Sequence, residues 1–294
     1  MSIQPPQDTA LILEAPAKVN LALHITGQRE DGYHFLDSLV VFGGASDRLI
    51  FKPSDHLHLS VTGPFAEGLR QEPDNLMVRA ARSLAKELHL PAEAELTLEK
   101  YLPISAGIGG GSSDAATTLL GLLRLWERTI KDEKLRTIAL QLGADVPMCL
   151  EGECLRASGI GGTLETGPRM PKNLGLVLIN PHVPISTPDL FSKLKHKNNA
   201  PMGPMPSAFL SAAALAEWLS DQRNDLEMAA IEQAPVIETV LQALMDDGDC
   251  LFTRMSGSGA TCFGLFNTVK HAEYAARRLT FSHPNWWVSH GAVR

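Results

Sequence analysis

The chain has 294 residues, with 26 Lys and Arg against 33 Asp and Glu, which gives a formal net charge of −7 at pH 7. Its composition, 44% hydrophobic and 20% charged, is that of a globular protein, so extended disorder is excluded, and its length allows two domains. The acidic balance excludes a general nucleic-acid binder, because such proteins present a basic face. An anionic ligand must therefore be held by a local site.

The cysteines and the hydropathy pattern indicate the compartment. Four cysteines form no Cys-x-x-Cys pair, and no histidine joins them at zinc-ligand spacing. Four cysteines in a chain of this length do not make a disulfide scaffold, and no apolar run approaches the roughly 18 residues of a membrane helix. We therefore expect a cytoplasmic protein that binds neither a membrane nor a nucleic acid. The sequence leaves open whether it is a monomer or a homodimer.

The first half of the chain divides between strand and helix patterns. Alternating apolar residues predict strands over 11–25, 37–42, 48–51, 57–61 and 95–99. Apolar residues at helical spacing predict helices over 75–90, 114–126 and 131–142. The glycine-dense stretch 106–113 leads directly into the second of these helices.

The second half opens after a Pro- and Gly-containing stretch at 165–173, which predicts a linker between domains 1–166 and 167–294. Strands are predicted over 174–179, 251–255, 261–266 and 286–289, and helices over 208–219, 226–230, 236–245 and 271–279, with a loop at 198–206. Strands and helices alternate without a regular βαβ rhythm, which favours an α+β fold.

The segment Ala106-Gly-Ile-Gly-Gly-Gly-Ser-Ser has the features of a polyphosphate-binding loop. Its glycines permit positive φ and close backbone approach, and the helix that follows adds unpaired N–H groups and the positive end of its dipole. Ser112 or Ser113 is placed to cap this helix and to offer a hydroxyl to a phosphate or its magnesium. The alternative is a tight loop between a strand and a helix with no ligand.

Two other phosphate loops are excluded. A Walker A loop requires a lysine after its last glycine, and the segment has none. A dinucleotide fingerprint requires an acidic residue at a strand end about 20 residues further on, whereas Asp132 and Glu133 lie at a predicted helix start.

Some polar residues are ambiguous alone. Lys18 and Asn20 alternate with apolar residues of the first strand, which is also typical of a solvated sheet face. Asp145 lies in a short turn between apolar segments, where an aspartate commonly serves the turn or a helix cap. Tyr33 and His34 follow an Asp-Gly turn, and such a pair more often packs than binds a ligand.

Their combination is specific. Five segments follow one another along the chain: Pro16-Ala-Lys-Val-Asn-Leu, Asp31-Gly-Tyr-His, Pro103-Ile-Ser-Ala-Gly-Ile-Gly-Gly-Gly-Ser-Ser-Asp-Ala-Ala, Leu142-Gly-Ala-Asp-Val-Pro and Gly257-Ser-Gly-Ala. From about 16 to 266 the chain thereby resembles the GHMP small-molecule kinases. The resemblance implies an α+β fold of two domains with the active site in the cleft between them. It also implies phosphorylation of an alcohol by ATP with Mg²⁺, the acceptor being a cytidine-diphosphate-linked polyol.

The resemblance assigns roles to matching positions. It makes Asp145 the catalytic base and Lys18 its electrostatic partner. Its ATP-binding residues are Asn75, Leu76, Lys100, Pro103, Ile104, Ser105, Ala106, Gly107, Ile108, Gly109, Gly110, Gly111, Ser112 and Ser113. Its substrate-binding residues are Asn20, Gly257, Ser258, Gly259 and the cytosine pocket of Tyr33, His34 and Phe191.

The chain departs from the family pattern at two places. Gly162 stands where relatives commonly have a glutamate, so the resemblance assigns no magnesium ligand. The glycine loop opens with Ile104-Ser-Ala, where relatives often carry more glycine, although Ala106 is small enough to keep the loop conformation. The alternative functions are another GHMP kinase, of homoserine or mevalonate type, and a catalytically silent ligand-binding regulator with the same fold.

Overall fold

The computed structural model describes residues 10–69 and 75–294 and divides the chain into two compact units that are interleaved in sequence. The described part of the first unit comprises 10–15, 46–69, 75–104 and 110–151, and that of the second 16–45, 105–109 and 152–294. Each unit mixes helices and strands, which confirms the α+β class. The domain boundary at 166 stays a prediction.

Two long strands, β1 (Leu11–Gln28) and β2 (His34–Lys52), pair with each other and contribute residues to both units. β2 is continuous where the sequence predicts two strands, at 37–42 and 48–51. The strand continues between the two predicted segments because Gly43 and Gly44 adopt φ values of 133° and 74°, which glycine tolerates. A Cβ on Gly43 would lie 2.1 Å from the carbonyl oxygen of Ala292, so only glycine fits there.

The described part of the first unit contains four α-helices, two strands of its own and parts of β1 and β2. β4 (Ala94–Glu99) is antiparallel to the end of β2 and parallel to β3 (Leu57–Thr62). α1 (Leu76–Leu88) packs against α2 (Gly110–Leu125) and α3 (Asp132–Leu142), and α4 (Val146–Glu151) packs against α2 and α3. The fully buried residues of this unit include Leu49, Phe51, Leu84, Leu96 and Leu119.

The second unit has two sets of strands. β5 (Leu155–Gly159) pairs antiparallel with β2 and with β6 (Thr163–Thr166). A four-stranded antiparallel sheet has the order β10-β7-β9-β8, formed by β7 (Gly175–Asn180), β8 (Cys250–Met255), β9 (Cys262–Phe266) and β10 (Trp287–Ala292).

Helices cover this sheet. α8 (Val236–Met245) packs on β8 and β9, and α9 (Val269–Ser282) packs on β7 and β10. The remaining helices are α5 (Thr187–Lys193), α6 (Ala212–Ser220) and α7 (Glu227–Gln233). In the described parts of the chain, no helix combines the length and apolar character needed to span a membrane.

Candidate active site

The glycine-rich loop enters α2 earlier than predicted. The helix begins at Gly110 and not at residue 114, after Gly107 and Gly109 have adopted left-handed φ values of 74° and 61°. Ser112 and Ser113 therefore lie within the first turn, and the prediction that one of them caps the helix is wrong. The first N–H groups of α2 have no acceptor within the helix, so its start can bind an anion.

The first turn of α2 has room for a ligand. A Cβ on Gly111 would meet, within 4 Å, no atom of the described residues beyond its chain neighbours and the adjacent helix backbone. The Ser113 hydroxyl is buried, and none of the described residues hydrogen bonds to it. Since buried polar groups are normally paired, this hydroxyl is an atom that a bound ligand can satisfy.

A buried ion cluster lies behind this turn in the first unit. The ammonium of Lys100 is 2.5 Å from Oδ2 of Asp47 and 2.6 Å from Oδ2 of Asp114, and all three side chains are buried. The second oxygen of Asp47 accepts hydrogen bonds from the N–H groups of Tyr101 (2.6 Å) and Leu102 (2.8 Å). The cluster thereby fixes both the segment before the glycine loop and the start of α2.

The charges of this cluster depend on its burial. Burial raises the pKa of Asp114 to about 7, against the opposing attraction of Lys100 and with a further rise from the Asp47 charge. Burial alone would lower the pKa of Lys100, but the two carboxylates outweigh it and raise this pKa. Lys100 is therefore a protonated ammonium whose charge the cluster itself compensates.

Three further predicted residues lie at helix starts of the first unit. Asn75 is the N-cap of α1, where its side-chain oxygen accepts a hydrogen bond from the N–H of Met77 at 2.9 Å, and Leu76 is the first residue of that helix. Asp145 is half-buried and directly precedes α4, and its carbonyl accepts a hydrogen bond from the N–H of Cys149 at 3.1 Å. Helix starts thus fix the backbone at each of these positions.

In the second unit, Lys18 and Asn20 are buried on β1 and not on a solvated sheet face, with exposed fractions of 4% and 5%. The Lys18 ammonium donates to Oδ1 of Asn20 at 2.9 Å, and the Asn20 amide donates to the Ser38 hydroxyl at 2.8 Å. Ser38 donates in turn to the carbonyl of Ala22 at 2.7 Å. This chain of hydrogen bonds sets the direction of the Lys18 side chain.

The glycine loop and the Gly257-Ser-Gly-Ala segment meet in the second unit. The Ser256 hydroxyl accepts a hydrogen bond from the N–H of Asn20 and donates to the carbonyl of Gly107, both at 3.1 Å. The N–H of Lys18 donates to the carbonyl of Ile108 at 2.9 Å. A Cβ on Gly109 would lie 3.0 Å from Cε of Lys18, so the loop packs directly on the lysine stem.

Two of the three residues predicted to form a cytosine pocket, His34 and Phe191, form a stacked pair of rings. The rings of His34 and Phe191 lie 4.7 Å apart between centroids with an interplanar angle of 25°, whereas Tyr33 is 65% exposed. Nε2 of His34 is buried and has no hydrogen-bond partner within 10–69 and 75–294. Burial, and next the charge of Lys197, lower the pKa of His34, so its ring is neutral at pH 7.

The Gly257-Ser-Gly-Ala turn contacts the helix that carries Phe191. The hydroxyls of Ser258 and Thr187 share a hydrogen bond of 2.7 Å, and Thr187 is the first residue of α5. Gly257 and Gly259 have φ values of 57° and 82°, which glycine adopts without strain. The predicted substrate residues Asn20, His34, Phe191 and 257–259 thus belong to one connected part of the second unit.

Sequence analysis missed several residues that support this site. Ser256 directly precedes a motif that the sequence does reveal, and Asp114 lies within another, so their positions in the sequence could have identified them. Asp47 and Ser38 carry no such signal, because their partners lie 53 and 18 residues away along the chain. Within the described residues, no cluster of three or more His, Cys, Asp or Glu side chains could hold a metal ion.

Comparisons with known proteins identify the class of protein. A family model described as the GHMP kinases N terminal domain matches residues 75–153, and one described as GHMP kinases C terminal matches residues 207–285. The crystal structure of a homoserine kinase from Cytophaga hutchinsonii has a TM-score of 0.68 at 20% identity, covers 100% of this chain and 97% of its own, and shows a shared fold. Fold and motifs therefore define a GHMP kinase, an ATP-dependent small-molecule kinase.

Relatives with higher sequence identity show which family of GHMP kinases the chain belongs to. The 4-diphosphocytidyl-2-C-methyl-D-erythritol kinase of Ruegeria pomeroyi is 50% identical over 281 residues, which cover 95% of this chain and 98% of the relative. The kinase of the same name from Paramagnetospirillum magneticum is 48% identical over 281 residues, covering 96% and 98%. A crystal structure of 4-(cytidine 5'-diphospho)-2C-methyl-D-erythritol kinase has a TM-score of 0.76 at 32% identity, covering 95% and 98%. The chain belongs to this family of GHMP kinases.

The buried cluster gives a stability prediction. We expect Asp47→Ala to lower the free energy of unfolding by about 3–5 kcal/mol, because it leaves Lys100 short of a partner and removes the acceptor of two backbone N–H groups. Lys134→Ala is the control, since it breaks an ion pair with Glu87 in which the lysine is 59% exposed, and it should leave the free energy of unfolding nearly unchanged. Urea unfolding measures both, and equal losses would contradict a structural role for the cluster.

Proposed function

We propose that this chain phosphorylates the 2-hydroxyl of 4-diphosphocytidyl-2-C-methyl-D-erythritol with ATP, as a cytoplasmic enzyme of non-mevalonate isoprenoid biosynthesis. The observation that carries the proposal is the near-full-length similarity to kinases of that name, at 48–50% identity. The site supports it because an anion-binding helix start, a buried lysine and a histidine–aromatic pair are the devices that such substrates require.

ATP phosphates bind at the start of α2 in this proposal. The N–H groups of residues 107–113 and the Ser113 hydroxyl donate to phosphate oxygens, and Asn75, Leu76 and Lys100 line the adenosine side. The buried Ser113 hydroxyl, which has no hydrogen-bond partner among the described residues, would be the protein oxygen beside Mg²⁺ held on the ATP phosphates. When bound, Mg²⁺ neutralises part of the charge on the transferred group.

Catalysis rests on Asp145 and Lys18. The Asp145 carboxylate takes the proton of the acceptor hydroxyl, the hydroxyl oxygen bonds to the γ-phosphorus, and the bond to the β-phosphate oxygen breaks to release ADP. The Lys18 ammonium offsets the negative charge that develops on the oxygens. Asn20 accepts a hydrogen bond from Lys18 at 2.9 Å, which holds the ammonium in place, and the same amide orients the polyol.

The cytosine is recognised by the aromatic side chains. A base inserted between two rings needs about 7 Å between them, so it does not enter the 4.7 Å space between His34 and Phe191. The two rings therefore separate to admit the base, which stacks on Phe191 with Tyr33 on its other face and the His34 ring beside its edge. The unpaired Nε2 of the neutral His34 ring reads the hydrogen-bonding edge of the base.

A substrate panel tests the function against its nearest alternative. ADP release is measured with homoserine, mevalonate and 4-diphosphocytidyl-2-C-methyl-D-erythritol as acceptors. We expect turnover with the cytidylyl substrate and none with the others, because only a nucleotide-bearing acceptor uses the His34–Phe191 pair. Turnover of homoserine or mevalonate in place of the cytidylyl substrate would contradict the proposal, and no turnover at all would favour the silent regulator.

Asp145→Asn tests the base. We expect kcat to fall at least about 100-fold with unchanged nucleotide affinity, because the amide cannot accept the hydroxyl proton. Glu151→Gln makes the same change of charge on an exposed residue at the end of α4 and should keep wild-type turnover. Stopped-flow turnover and equilibrium titration with a fluorescent ATP analogue measure the two quantities, and full turnover of Asp145→Asn would disprove the mechanism.

Phe191→Ala tests the pyrimidine site. Loss of the ring removes the stacking surface, so KM for the cytidylyl substrate should rise roughly tenfold while KM for ATP stays unchanged. Phe281→Ala is the control, because that ring is 91% exposed on α9. An equal rise of both KM values in Phe191→Ala would contradict the assignment.

A further inference from the structure

The segment Arg223–Glu227, which the sequence analysis did not single out, joins β1 to the end of β8. Its backbone forms a parallel bridge with β1: the N–H of Leu23 donates to the carbonyl of Arg223 at 2.8 Å, and the N–H of Asp225 donates to the carbonyl of Leu23 at 2.9 Å. The residue between these two bonds is Asn224. The segment is thus anchored to the strand that carries Lys18 and Asn20.

The Asn224 side chain holds the backbone on both sides of Ser256. Its amide donates to the carbonyl of Met255 at 2.9 Å and to the carbonyl of Gly257 at 2.8 Å. Its oxygen accepts a hydrogen bond from the N–H of Leu226 at 3.0 Å, and the residue is 7% exposed. A side chain with these three bonds has one orientation, so it acts as a rigid clamp.

The clamped backbone contacts the site directly. Ser256 bonds to the N–H of Asn20 and to the carbonyl of Gly107, as described above. A Cβ on Gly257 would lie 2.9 Å from that carbonyl and 3.3 Å from Oδ1 of Asn20, the oxygen that binds the Lys18 ammonium. A displacement of a few tenths of an ångström in 255–257 therefore reaches both Asn20 and the glycine loop.

Two neighbouring charged residues stabilise the backbone just before Ser256. Oε2 of Glu227 accepts a hydrogen bond from the N–H of Met255 at 2.7 Å. The buried guanidinium of Arg254 donates to the carbonyl of Leu21 at 2.9 Å, directly after Asn20. These bonds hold Arg254 and the N–H of Met255, whereas Asn224 holds the carbonyls of Met255 and Gly257 on either side of Ser256.

We propose that Asn224 is a positioning residue for phosphoryl transfer, which holds Ser256 against Asn20 and Gly107. This inference rests on the proposed function and adds to it a residue outside the five segments that carry the family resemblance. Asn224 acts through the backbone of 255–257. Its removal should therefore misalign the reacting groups but leave the surfaces that bind the two substrates intact.

Asn224→Asp tests the clamp with little change of shape, because it replaces the donating amide by an oxygen that faces two carbonyls. We expect kcat to fall at least about tenfold, with both KM values within about threefold of wild type. Asp225→Asn is the control in the same segment: its side chain accepts from the N–H of Ile25, and its kcat should stay within about twofold. The double variant restores the net charge but not the donor, so its kcat should stay low.

Two results would overturn the inference: wild-type kcat in Asn224→Asp, and recovery of kcat in the double variant, which would reveal an effect of charge alone. Thermal unfolding of each variant gives the folded fraction to which kcat is referred. If Asn224→Asp does not fold, Asn224→Ala and Ser256→Ala form a double-mutant cycle in kcat. Their losses should not add if Asn224 acts through Ser256, and additive losses would also overturn the inference.

The inference and the proposed function fail differently. If the acceptor is wrong, the wild type itself does not turn over the cytidylyl substrate. If only the role of Asn224 is wrong, the wild type turns over that substrate and the Asn224 variants match it.

Discussion

Two glycine-containing segments of the second unit approach each other so closely that no side chain fits between them. A Cβ on Gly107 would lie 2.6 Å from the carbonyl oxygen of Gly259, and a Cβ on Gly257 would lie 2.9 Å from that of Gly107. The conformation of the phosphate-binding loop is therefore set by residues about 150 positions further along the chain. Ser256 is the side chain that bridges this contact, and the orientation of Asn20 depends on it.

The contact between these two glycine-containing segments also bears on how an acidic chain can hold a polyanion such as ATP. A net charge of −7 provides no bulk attraction for phosphates. Lys100 adds little to the field at the helix start, because Asp47 and Asp114 compensate its charge. In the proposed function, binding then depends on backbone N–H groups, whose positions the glycine contact fixes, and on Lys18, whose stem packs on Gly109.

The sequence predicted those features that short motifs carry. The glycine loop, Lys18, Asn20 and Asp145 lie in segments whose order identifies the family, and the alternating or helical patterns located most strands and long helices. The predicted start of α2 was too late, because glycine has a low helix propensity. In the structure, Gly110 and Gly111 are nevertheless the first two residues of the helix.

Other features depend on partners that no local pattern reveals. α4 and α5 have six and seven residues, too short for a helical period to show, and each carries a proline at its second position. Asn224 bonds to residues 31 and 33 positions away, and Ser256 to residues 236 and 149 positions away. Such contacts follow from the fold, so a single sequence does not contain them in readable form.

The proposed base-recognition residue Phe191 and a contact to the Gly257-Ser-Gly-Ala turn lie on one short helix. Phe191 lies one helical turn after Thr187, the first residue of α5, whose hydroxyl bonds to Ser258. A base that moves the Phe191 ring on His34 therefore acts on a seven-residue helix whose other end holds the Gly257-Ser-Gly-Ala turn. If the base binds at Phe191 as proposed, its occupancy and the shape of the glycine loop are mechanically linked, because that turn packs on Gly107. An acceptor without a base lacks this link, which gives substrate selection a route through alignment as well as affinity.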